Sequence, residues 1–119
     1  MRNHRLYLTD IFEAMEAAQT FIEGMNFDAF VDDDKTTSAV ARKLEIIGEA
    51  AKNVPETIRL AYPQVPWQQM AGMRDRIIHR YFAVNHVIVW DTVKDHIPPL
   101  QSIIAQILKD TEEKQTCEQ

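Results

Sequence analysis

The sequence predicts an all-α fold, an up-and-down bundle of about five helices. Three observations predict it: apolar residues recur at spacings of three and four along most of the chain, cap residues and prolines punctuate those stretches, and no alternating strand pattern occurs. At 119 residues the chain makes one domain, 1–119, large enough to bury a core without staples.

The first helix spans 6–23, where Leu8, Ile11, Met15, Ala18 and Ile22 form one stripe and Gly24 supplies the stop. Residues 24–36 mix Gly, Asn and the acidic run Asp32-Asp33-Asp34, which reads as a solvated loop able to cap the next helix. That second helix, from about Thr36 to Val54, carries Val40, Leu44, Ile47, Ala51 and Val54 on one face. Ala39, Ile46 and Ala50 make a narrower strip elsewhere on it, so this helix needs two packing partners, either within one bundle or across to another protomer.

Pro55 opens a short helical turn through about Ala61, and Tyr62-Pro63-Gln64-Val65-Pro66 is a stiff connector. Pro66 suits the first position of a third helix running to Tyr81 or Phe82. Asn85 then caps a fourth, from His86 to about His96, and Pro98-Pro99 interrupts it or opens a fifth bearing Leu100, Ile103, Ile104 and Ile107 toward Lys114. Residues 115–119 read as a frayed tail.

Net charge is -5, yet residues 74–81, Arg-Asp-Arg-Ile-Ile-His-Arg-Tyr, reverse that sign locally. An arginine that cannot lose its proton holds a phosphate, and a histidine with a pKa near neutrality moves a proton on and off a hydroxyl. The pair points to phosphodiester chemistry. On a straight helix Arg74 falls in the apolar stripe of Trp67, Met70, Met73, Ile77, Ile78 and Tyr81, within roughly 100° of each. A guanidinium there must be paired or face a cleft, and Glu45 and Glu49 are the candidate partners. His79 lies about 140° around from Arg74, beside Asp75 at i-4, whose carboxylate can orient the imidazole. Arg74 and His79 then reach one phosphate only if two copies of the chain meet or the helix bends near its end. Arg76 and Arg80 are candidate RNA contacts, with a solvated face as the plainer explanation.

Other chemistries lack their residues. The lone Cys117 allows no disulfide framework within a chain and fits a reducing cytoplasm. His4, His86 and His96 lack metal-ligand spacing, and there is no glycine-rich phosphate loop, signal peptide or membrane span, so no cofactor or metal is expected.

The order Arg74-Asp75-x-x-x-His79-x-Tyr81 resembles the Arg-x-x-x-x-His-x-Tyr signature of the HepT-like toxins, a branch of the HEPN ribonucleases. Leu44-Glu45-Ile46-Ile47-Gly48-Glu49-Ala50-Ala51, Pro66-Trp67, Ala71-Gly72-Met73-Arg74 and Ile88-Val89-Trp90-Asp91-Thr92-Val93 resemble family segments in the same order, over nearly the whole chain. The resemblance implies a metal-independent endoribonuclease toxin that works as a homodimer, with Arg74 and His79 catalytic. It also implies an antitoxin partner, a minimal MntA-like nucleotidyltransferase that silences the toxin by transferring AMP to Tyr81. The competing reading is a non-catalytic helical dimer that docks such a partner, with Arg74 held in a buried ion pair; the basic cluster on an acidic chain argues against it.

Overall fold

A computed structural model describes residues 3–78 and 84–118. α1 (His4–Phe21) is capped by Asn3, whose side chain accepts the Arg5 amide at 2.8 Å, and the positive φ of 79° at Gly24 turns the chain away beyond its end. Leu8, Ile11, Met15, Ala18 and Ile22 are all buried, as their spacing required.

Residues 27–32 depart from the loop expected there. They form α2 (Phe27–Asp32), capped by Asn26 on the Ala29 amide at 2.8 Å and anchored by the fully buried Phe30, which meets Trp90 at a ring separation of 5.2 Å. Phe27, Phe30 and Val31 are spaced i, i+3 and i+4 and all pack inward, but six residues span too few turns for that period to stand out from a loop. Asp33 caps α3 (Asp34–Asn53), accepting the Thr36 amide at 3.1 Å and its hydroxyl at 2.8 Å. Those bonds, the backbone one foremost, hold the Asp33 carboxyl below its ordinary value.

α3 is the central helix. Its main face of Val40, Leu44, Ile47, Ala51 and Val54 is buried, and each large side chain taken fully out of water there contributes roughly 1.5–3 kcal/mol. From its second strip, Ile46 and Ala50 line a surface groove with Tyr7 and Asp10 of α1. After α4 (Glu56–Ala61), the Trp67 indole donates to the Tyr62 carbonyl at 3.0 Å, closing the Pro-rich connector onto the start of α5 (Trp67–Ala71).

The third helix is shorter than its pattern predicted and is broken. Gly72 separates α5 from α6 (Met73–Ile77), and Ile78 is already extended at φ -106° and ψ 124°. A continuing helix would offer the Ile77 carbonyl to the amide four residues on; here it takes the Asn85 N–H at 2.6 Å, and Ile78 pairs antiparallel with Val84. Apolar residues at 77, 78 and 84 serve this bridge as readily as a helix face.

Asn85 caps α7 (His86–Asp91) through the Ile88 amide at 3.1 Å. The two prolines do not stop the rod. A π-helical segment, Thr92–His96, joins α7 to α8 (Ile97–Glu118), with the Ile97 N–H reaching back to the Thr92 carbonyl. Pro98 and Pro99 have no N–H to give the carbonyls four residues before them, and the wider turn accommodates that loss. α8 runs past Lys114 to Glu118, and packs on α1 through Arg5, which donates to the Leu108 carbonyl at 2.7 Å and the Thr111 hydroxyl at 2.6 Å. Among the described residues no helix is long and apolar enough to cross a membrane.

Gly48 sets how closely α3 approaches the α5–α6 junction: a Cβ there would lie 2.9 Å from the Met70 carbonyl oxygen and 3.3 Å from the Met73 Cβ. Gly48→Ala is therefore expected to lower stability by about 1–3 kcal/mol, although alanine favours a helix interior by about 1 kcal/mol. Thermal or urea denaturation checks it; an unchanged or higher midpoint would show that the two elements are not in this contact.

Candidate active site

α6 is a short helix held by two buried side chains, Met73 and Ile77, with Arg74, Asp75 and Arg76 between them exposed. That arrangement decides where the first motif residue goes. Arg74 is not in the core stripe: the break at Gly72 turns it outward, into a surface groove of about 330 Å³ shared with Arg42, Glu45, Gly48, Glu49 and Lys52 of α3.

Glu45 and Glu49 do line this groove, but they do not hold Arg74. Glu45 pairs with Arg42 at 3.5 Å and Glu49 with Lys52 at 3.8 Å, each one helical turn away on α3 itself. Near pairs on one helix need little ordering, so these local cations take the carboxylates first. Among the described residues Arg74 makes no ion pair, and its guanidinium is left available in a groove of three cations and two carboxylates. Arg42 and Lys52 were not singled out from the sequence; their spacing of three from Glu45 and Glu49 was the signal.

Arg76, two residues on, lies around the other side of α6. It borders a different hollow, with Gln69 of α5 and His96 of the π segment. Asp75 is exposed between them. His79, Arg80 and Tyr81 lie outside the described residues. The wheel geometry that related His79 and Tyr81 to Arg74 assumed one straight helix over 67–81, and α6 ends before either of them. Among the described residues no three His, Cys, Asp or Glu side chains cluster as the ligands of a metal ion would.

A family model described as "Ribonuclease HepT-like" matches residues 11–107, from α1 into α8 and across the whole of the candidate site. The chain belongs to the HepT-like ribonuclease family. Individual HepT-like relatives agree along nearly their full lengths. A "Putative RNase" of Methanocaldococcus jannaschii is 48% identical over 108 residues, covering 91% of this chain and 89% of the relative. "Probable ribonuclease HepT" of Thermococcus cleftensis is 45% identical over 108 residues, 91% of this chain and 98% of the relative. A "Putative RNase" of Caldanaerobacter subterraneus is 43% identical over 109 residues, 92% and 97% of the two chains. No solved structure matches this HepT-like chain.

An exposed arginine without an ion pair carries no folding role. Arg74→Ala is expected to change unfolding free energy by less than about 0.5 kcal/mol, as surface substitutions usually do. Chemical denaturation measures this; a loss of about 3 kcal/mol or more, the cost of breaking a buried pair, would place Arg74 in the structural ion pair of the competing reading.

Proposed function

We propose that the protein is a metal-independent endoribonuclease toxin, acting as a homodimer whose composite site takes Arg74 and His79 from each copy. The observation that carries it is the outward guanidinium of Arg74, without an ion pair among the described residues, in a groove of a HepT-like ribonuclease, on the short helix immediately before the motif histidine.

The chemistry follows from the side chains. Neutral His79 removes the proton from a ribose 2'-hydroxyl as O2' attacks the adjacent phosphorus. The bond to the 5'-oxygen breaks, and the second copy's His79, in its protonated form, gives that oxygen its proton. The products are a 2',3'-cyclic phosphate and a 5'-hydroxyl. Arg74 stays protonated throughout and balances charge building on the phosphoryl oxygens. Asp75, which precedes His79 on the chain, orients the imidazole. Arg76 and Arg80 hold flanking phosphates, which raises affinity and makes it fall with salt.

The same reading gives the antitoxin its mechanism. An MntA-like nucleotidyltransferase transfers AMP from ATP to Tyr81: the phenol oxygen attacks the α-phosphorus, pyrophosphate leaves and the hydroxyl proton is lost to solvent, which puts a phosphodiester and a base beside the cationic segment. That addition competes with RNA by charge and by volume.

His79→Ala is expected to lower cleavage about 10²–10⁴-fold, while wild-type cleavage persists in EDTA and yields cyclic phosphate ends. Tyr81→Phe is expected to cleave normally and escape silencing by the partner. Retained cleavage in His79→Ala, or dependence on added divalent metal, would contradict the site; silencing of Tyr81→Phe would contradict the proposed modification.

A further inference from the structure

The hollow beside Arg76 has no part in the chemistry above. It encloses about 230 Å³, and its floor is made by Met15, Ile47, Met70 and Ile97, each no more than 2% exposed. Protein interiors are packed nearly as densely as organic crystals, so an apolar hollow of this size opening to the surface is more than ordinary slack.

Its mouth is chemically different from its floor. Gln69, Arg76 and His96 are exposed there, while Thr92, also in the lining, has its hydroxyl proton committed to the Ile88 carbonyl at 2.7 Å. Among the described residues neither Arg76 nor His96 makes an ion pair. The wall that carries Thr92 and His96 is the π-helical segment, a distortion found frequently at functional sites. An apolar slot with a cation and an amide at its entrance fits a flat, partly apolar group joined to an anion.

Position selects which one. Arg76 stands two residues from Arg74 on α6, about 3 Å along the helix axis, so the two guanidiniums address different sides of the same short helix. Single-stranded RNA is recognised by bases splayed out of the stack and seated against side chains, with hydrogen bonds to their edges. We infer that this hollow receives one nucleobase of the RNA beside the cleaved phosphate, with Gln69 on the base edge and Arg76 and His96 on that nucleotide's phosphate. The inference rests on the ribonuclease reading for its substrate, and it gives the site a base preference at one flanking position. Gln69 offers both a donor and an acceptor to the base edge. The thioethers of Met70 and Met73 adapt to the ring faces.

The test uses the full chain with ¹³C-methyl methionine, titrated separately with AMP, GMP, CMP and UMP. The methyls of Met15, Met70 and Met73, which line the hollow, are expected to shift with at least one nucleotide, and that of Met25, which does not, to stay in place. Gln69→Ala and Arg76→Ala, both at exposed positions, are expected to weaken that nucleotide's binding at least fivefold. The inference is overturned if none of the four nucleotides moves those methyls, if decanoate moves them and nucleotides do not, or if both variants bind as wild type does. The titration does not depend on turnover. Cleavage intact with no nucleotide in the hollow would sink this inference alone; nucleotides seated as described, with no RNA cleaved, would uphold the hollow and sink the ribonuclease reading.

Discussion

The site depends on where α6 stops. The Asn85 N–H takes the Ile77 carbonyl at 2.6 Å and Ile78 turns extended to pair with Val84, so the helix that carries Arg74 is only five residues long. Met73 and Ile77 pin that short helix to the core, and Gly48 lets α3 approach its entry closely. Asn85 is used twice: its backbone ends one helix and its side chain begins the next. At the other end of α6, a single straight helix running through Gly72 would have carried Arg74 in its apolar stripe, where a buried charge demands a partner.

Electrostatics complete what the backbone begins. The chain is acidic overall, and two carboxylates, Glu45 and Glu49, lie in the same groove as Arg74. Each is paired on its own helix, with Arg42 and with Lys52. Exposed pairs of this kind contribute little to stability. Their consequence here is local: the acids are balanced where they stand, and among the described residues the guanidinium opposite makes no ion pair, which leaves it free for the phosphate contact proposed above. Arginine suits that task because its planar fork matches phosphate oxygens and never loses its charge.

The long amphipathic helices could be read from the sequence residue by residue, because burial of one stripe repeats over several turns in α1 and α3. Caps were equally readable where a side chain does the capping, as at Asp33 and Asn85. Short elements were not. α2 carries its inward residues over fewer than two turns, and Ile77 and Ile78 look the same to a helical wheel whether the chain continues as a helix or leaves it for a bridge. Glu45 and Glu49 do share a groove with Arg74, as the sequence suggests, yet nearer cations on α3 pair with both. The motif itself was visible through residue order, which no contact map is needed to see; His79, Arg80 and Tyr81 lie outside the described residues.

The central claim is that one working site is shared, taking Arg74 and His79 from both copies. Mixing Arg74→Ala and His79→Ala proteins, allowing subunits to exchange, and measuring RNA cleavage tests it most directly. The mixed dimer retains one intact pair, Arg74 of one copy facing His79 of the other, with water in place of the second histidine as proton donor. The account therefore predicts that two inactive preparations regain partial cleavage when combined. A mixture as inactive as its components, with exchange demonstrated by native mass spectrometry, would contradict it.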